Sequence, residues 1–145
     1  MERTCMTIRN TEAWTIRRSK PILCSEVKLG VAAERLAAIF LAGRGVSVLR
    51  MNYYSNRGEI DIIAEADDDL LFVEVKSRSS LKYGYPHQAV GRRKARRLAF
   101  TAKCFLLGRE DFWRNYRFDI IEIYWQSGHL CWIKDITMEG GGDVR

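Results

Sequence analysis

The sequence contains no Cys-x-x-Cys pair, no long apolar run and only two histidines. Its four cysteines, at positions 5, 24, 104 and 131, are widely separated, and only His87 and His129 are available to join them around a metal. A structural zinc site therefore has little support, and four reduced thiols are expected. No segment approaches the roughly 18 apolar residues of a membrane span, and the first residues lack the apolar stretch of a secretory signal. A cytoplasmic protein with no membrane partner is the expectation. Nothing resembles a Ser/His/Asp or Cys/His set, so hydrolysis through a covalent enzyme intermediate has no candidate residues.

What is present suits one domain. A chain of 145 residues with 47% hydrophobic residues can build a single core. The net charge of +6 favours a polyanionic partner. Residues 1–28 mix Arg3, Arg9, Arg17, Arg18, Lys20 and Lys28 with apolar residues in no sustained period, which predicts a basic, weakly structured arm. An ordered domain is expected over 29–138, and the Gly140–Gly142 run predicts a flexible tail over 139–145.

Within the domain, Ala33, Leu36, Ala37 and Phe40 recur at helical spacing, so Val31–Ala42 is predicted as an amphipathic helix ended by Gly43 and Gly45. Strands are predicted over Val46–Tyr53, Gly58–Glu65 and Leu70–Lys76, followed by a loop over Ser77–Pro86 and a second helix to Leu107. Strands over Arg117–Trp125 and Leu130–Ile136 close the domain. This order predicts an α/β or α+β sandwich on a mixed sheet.

The second and third strands carry the chemistry. If Ala66–Asp69 is the turn of a hairpin, facing residues have numbers summing to a constant, which places Ile63 opposite Phe72, Asp61 opposite Glu74, and Glu59 opposite Lys76. Facing residues share one side of the sheet with Cβ atoms roughly 4.5–5.5 Å apart, where two carboxylates repel unless a positive charge lies between them. A divalent cation with oxygen ligands answers that need. Lys76, two residues beyond Glu74, shares the face at about 6.6 Å along the strand. The alternative is an exposed face with a Glu59–Lys76 salt bridge. Asp, a twelve-residue gap and Glu-x-Lys, among apolar neighbours, favour the metal site. Glu34 is a third acid, flanked on its helix by Val31, Ala38 and Leu41, and is a candidate for the same cation or for an arginine.

Residues 92–103 hold Arg92, Arg93, Lys94, Arg96, Arg97 and Lys103 and no acid. Cations in the first turns of a helix face its positive end, a cost that bound phosphate relieves. Arg92, Arg93 and Lys94, with Arg57 and Arg78 flanking the acids, are therefore candidate DNA-backbone contacts, against the alternative of a solvated basic face. Tyr53, Tyr54, Tyr83 and Tyr85 could stack on unpaired bases, but covering a core edge is their commoner use.

These residues resemble the PD-(D/E)xK phosphodiesterases, and more closely the YraN-like family, which is similar to archaeal Holliday-junction resolvases. The resemblance rests on Gly30-Val31-Ala32-Ala33-Glu34, Asn52, Arg57-Gly58-Glu59-Ile60-Asp61, Phe72-Val73-Glu74-Val75-Lys76-Ser77-Arg78, Gly84-Tyr85-Pro86, Lys94 and Arg117-Phe118-Asp119. Ile60 stands where the superfamily pattern has proline. The resemblance implies a restriction-endonuclease-like three-layer α/β/α sandwich on a mixed sheet, here of about five predicted strands. It also implies Mg²⁺ or Mn²⁺ on Asp61, Glu74 and the Val75 carbonyl, with Glu34 beside the metal and Lys76 acting on the attacking water or the phosphate. The activity implied is DNA phosphodiester hydrolysis, on branched, single-stranded or damaged regions in recombination or repair, with a homodimer as the assembly. A non-catalytic nucleic-acid-binding module with the same fold is the alternative.

Overall fold

The stretch from Glu59 to Arg78 folds as the expected hairpin, and both of its strands lie in the interior of the sheet. A computed structural model describes residues 2–8, 26–78, 91–109 and 115–136. They form β1 (Glu2–Thr7), α1 (Glu26–Ala42), β2 (Ser47–Tyr54), β3 (Glu59–Ala66), β4 (Asp69–Arg78), α2 (Arg92–Leu107), β5 (Asn115–Tyr124) and β6 (His129–Lys134). The sheet order is β1-β6-β5-β4-β3-β2. All neighbours are antiparallel except β4 and β5. Parallel neighbours cannot be joined by a tight turn, and α2 lies in the crossover between them.

Alternation along the strands sends side chains to two separate cores. Leu71, Val73, Ile121 and Ile123 pack with Ala33, Leu36, Ala37 and Phe40 of α1. Leu70, Phe72, Phe118 and Ile120 pack with Ala95, Leu98, Ala102 and Leu106 of α2. The two helices thus cover opposite faces, giving three layers. The helix-period residues identified from sequence in α1 are buried, while the bases of α2 are exposed. The hairpin turn is at Asp67-Asp68, where Asp67 takes φ 51°, a left-handed conformation that aspartate tolerates.

Two expectations about the N-terminal region need correction. Residues 2–7 are an edge strand of the sheet and not part of a weakly structured arm, and α1 begins at Glu26 and not Val31. The sheet consequently has six strands. Strand β1 is mostly exposed, so no apolar alternation marks it; backbone pairing to β6 and the buried Ile8, whose N–H donates to the Gly128 carbonyl, hold it in place. The register sets Cys5 opposite Cys131, and the two form a disulfide, correcting the expectation of four reduced thiols. They are 126 residues apart in sequence, and only the pairing of β1 with β6 brings them together. Cys104 is free. Cys24, His87, Tyr83, Tyr85, the Gly84–Pro86 motif and the tail over 139–145 lie outside the described residues. Among the described residues no helix is long and apolar enough to cross a membrane.

Asp119, 1% exposed, ties β5 to its surroundings. Its carboxylate accepts from Arg117 Nε at 3.1 Å, Trp132 Nε1 at 2.9 Å and the Asp135 N–H at 2.9 Å. Arg117 also reaches Asp69 at 2.9 Å, linking the start of β4. Replacing Asp119 by alanine leaves an indole N–H and a backbone N–H without their acceptor and the Arg117 guanidinium with Asp69 alone. Urea denaturation should show Asp119→Ala destabilised by about 3–5 kcal/mol, well beyond the effect of Asp68→Ala in the exposed turn.

Candidate metal and nucleic-acid site

The site lies where the two hairpin strands, β3 and β4, part. Pairing of β3 with β4 follows the predicted register, from Ala66↔Asp69 through Ile63↔Phe72 to Ile62↔Val73, and ends there. Beyond that point β3 keeps to β2, through Tyr53↔Ile60 and Tyr54↔Glu59. Strand β4 keeps to β5, from Glu74↔Ile120 to Arg78↔Tyr124. Asp61 and Glu74 are the first residues past the last paired position. The expected Glu59–Lys76 pairing does not form, because each strand has gone with its other neighbour.

The local backbone accommodates the break. Ile60 and Ile63 both enter the α2-side core, while Ile62 enters the α1-side core, so the alternation of β3 slips by one residue around Asp61. Across from it in β2, Asn52 takes φ 52° between the paired Met51↔Ile62 and Tyr53↔Ile60. Asparagine is among the few residues that adopt this conformation readily, which explains its presence inside a strand whose register with β3 also shifts between Val48 and Arg50.

Asp61 replaces the missing ladder hydrogen bond with its side chain, Oδ2 accepting the Val75 N–H at 2.7 Å. In a strand the N–H and C=O of one residue point to the same side, so the Val75 carbonyl also faces the gap. Burial and the neighbouring Glu74 carboxylate push the Asp61 carboxyl from its ordinary 3.8 up to about 7, against the opposing effect of the Val75 hydrogen bond; Glu34 and Glu59 add to the rise. The structure thus brings Asp61, Glu74 and Glu34 within electrostatic reach of one another. Among the described residues, however, no three acid, histidine or cysteine side chains converge closely enough to form a cage.

Glu74 faces α2, where Lys94 donates from Nζ to its Oε1. Lys76 is half-buried on the same strand; burial and then Lys94 lower its proton affinity, while Glu74 and Glu122 raise it. An open cleft of about 700 Å³ lies here, with Glu59 and Glu74 on one side and Arg92, Arg93, Lys94 and Arg97 on the other. Arg57 stacks its guanidinium 4.5 Å from the Phe100 ring centre, and its carbonyl accepts from Arg97 Nε. Ser55 joins Thr101 through their hydroxyls at 2.8 Å, so the β2–β3 loop is docked on α2. Arg78 is half-buried at the end of β4. Tyr53 packs edge-on against Phe105, 5.3 Å between centres, and covers a core edge; Tyr54 is 66% exposed.

Two contributors, Arg97 and Glu122, are not among the predicted site residues, and a predicted one has a second role. Sequence reasoning gives Lys94 to DNA alone, yet it is also the counter-ion of Glu74. Arg97 lines the cleft and holds the loop. Glu122, 1% exposed, neighbours Lys76 across the β4–β5 pair, accepts from the Tyr124 hydroxyl at 2.7 Å and lies 3.8 Å from Arg3. An acid within Ile120-Ile121-Glu122-Ile123 is the signal that could have found it, the same kind of local anomaly that marks Asp61.

A six-stranded mixed sheet between two helices is compatible with an α/β nuclease-like fold. Residues 33–123 match the Uncharacterised protein family UPF0102. A UPF0102 protein of Natranaerobius thermophilus is 46% identical over 109 residues, covering 74% of this chain and 92% of that one. Those of Alkaliphilus oremlandii and Clostridioides difficile are 42% and 39% identical, each covering 66% of this chain and 84% and 83% of their own. The chain belongs to the UPF0102 family, which is YraN-like and lies in the restriction-endonuclease-like superfamily.

The raised Asp61 value has a measurable consequence. The folded chain holds this proton up to about pH 7, whereas an unfolded aspartate releases it near 3.8, so stability falls as pH rises between these values. An asparagine at this position would keep an acceptor for the Val75 N–H without the charge. In EDTA at pH 8, Asp61→Asn should be more stable than wild type by on the order of 2 kcal/mol, and the difference should vanish as pH approaches 4. A constant difference across that range would show that Asp61 titrates normally.

Proposed function

We propose that this protein is a divalent-metal-dependent nuclease that hydrolyses phosphodiester bonds of DNA. The observation that carries the proposal is the gap between β3 and β4, where two carboxylates and a strand carbonyl meet beside Lys76 and a basic helix wall. The names of the relatives describe a family and no reaction, so support comes from the chemistry of the side chains.

The donor set suits Mg²⁺ or Mn²⁺. All the candidate ligands are hard oxygens: Asp61, Glu74 and the Val75 carbonyl, with the Glu34 charge felt at Asp61. Two carboxylates without a third are what Mg²⁺ ordinarily takes, its remaining positions going to water and substrate phosphate. When bound, such a cation polarises the phosphoryl oxygen and makes its water a stronger nucleophile. Lys76 presents fixed positive charge toward the phosphate where negative charge develops. Arg92, Arg93, Lys94, Arg97 and the stacked Arg57 give the duplex or single strand a row of backbone contacts. None of them offers a base-reading arrangement, so selection by DNA shape, including branched or damaged forms, follows.

Cleavage of labelled four-way, flapped, single-stranded and linear duplex DNA with Mn²⁺ or Mg²⁺ tests the proposal. Wild type should give metal-dependent products, and Asp61→Asn should cut at least about a hundredfold more slowly while binding DNA as well or better. DNA binding without cleavage would make the chain a non-catalytic binding module. Replacing Arg92, Arg93 and Lys94 with alanine should reduce the slope of log affinity against log salt by about one for each phosphate no longer neutralised. An unchanged slope would return the helix to solvent.

A further inference from the structure

We propose that Lys94 is an internal competitor for the divalent cation, a counter-ion that leaves Glu74 when metal enters and then engages a phosphate of the bound strand. The inference rests on the metal-site proposal above and assigns the site its regulation: metal and DNA each promote binding of the other.

The ion pair joins unequal partners. Glu74 belongs to a central strand and its side chain is 13% exposed, whereas the Lys94 side chain is 51% exposed. Lys94 is the third residue of α2, in a first turn that contains no acid. A cation there opposes the helix dipole, so the helix gains nothing from it; the attraction is to Glu74. Lys94 also acts on Lys76, which shares the Glu74 face. One carboxylate thus already serves two ammonium groups.

A divalent cation at Asp61 and Glu74 changes this balance. It supplies the charge that Glu74 takes from Lys94, and it repels both lysines. Lys76 is fixed in β4 and half-buried. Lys94 has a flexible four-carbon stem reaching in from solvent, so it is the group that can leave. Beside it are Arg92 and Arg93, both exposed, which form the place a backbone phosphate would occupy. A phosphate there gives the released ammonium a new partner. Before metal arrives, the same phosphate draws Lys94 from Glu74 and clears the carboxylate. The coupling must be equal in both directions.

The competing explanation is a fixed tie that pins α2 to the sheet. It predicts a loss of stability on removing Lys94 and no change in metal affinity. Mn²⁺ binding to the full chain, followed by calorimetry or by the spectrum of free Mn²⁺, separates the two. The comparison uses wild type, Lys94→Gln, Lys94→Met and Lys94→Arg, with and without a phosphorothioate-linked duplex. Without DNA, the Gln and Met variants should bind Mn²⁺ about threefold to tenfold more tightly than wild type, with Lys94→Arg close to wild type. The duplex should tighten Mn²⁺ binding to wild type and much less to the neutral variants. Equal Mn²⁺ affinity across all four chains would overturn the competition and leave the metal site standing. Failure of every chain to bind Mn²⁺, with or without DNA, would remove the metal site and this proposal together.

Discussion

The hydrogen bond from the Val75 N–H to the Asp61 carboxylate is the interaction around which the rest is arranged. A buried backbone N–H must be satisfied, and in the middle of a sheet the neighbouring strand normally does so. Here a side chain from that strand takes over just past Ile62↔Val73. The two strands can then separate without leaving the donor orphaned. The gap opens in the interior of the sheet, flanked on both sides by paired strands. Its edges are therefore rigid, which is what a site holding two carboxylates at close range requires.

The hairpin is readable because its information is local. An acidic turn between two apolar runs fixes a register, and that register holds from Ala66↔Asp69 to Ile62↔Val73. The approach of Asp61 to Glu74 follows directly. The failure of Glu59 to reach Lys76 is not readable, since beyond Ile62↔Val73 β3 follows β2 and β4 follows β5, partners distant from the hairpin's own local pattern. Strand β1 and the Cys5–Cys131 link are hidden for a related reason: an edge strand buries little and leaves no periodic trace, and its partner is at the other end of the chain. The core face of α1 is legible because helical periodicity and burial report the same thing.

The basic charge of α2 has a double use that composition cannot separate. Arg92 and Arg93 project into solvent, whereas Lys94 turns toward the sheet and meets Glu74. Adjacent residues on a helix point about 100° apart, so one run of bases serves both a surface and a partly buried acid. On the other side of Lys76, Glu122 is held by Tyr124 and Arg3. The lysine is thus set between Glu74 on its own strand and Glu122 on the next, whose charges work against the burial and the Lys94 charge that lower its proton affinity.

Two buried aspartates show how a structural carboxylate differs from one poised for chemistry. Asp119 accepts from a guanidinium, an indole and a backbone N–H, and a cation is already beside it. Its charge is fully answered by the fold, and it needs no ligand. Asp61 has one backbone donor and a second carboxylate for a neighbour, and it responds by holding its proton to about pH 7. Selection for stability alone would favour an asparagine there, which keeps the hydrogen bond and drops the repulsion. An aspartate in that position is best accounted for by something outside the chain that supplies the missing positive charge, and a divalent cation does so while drawing Glu74 into the same coordination.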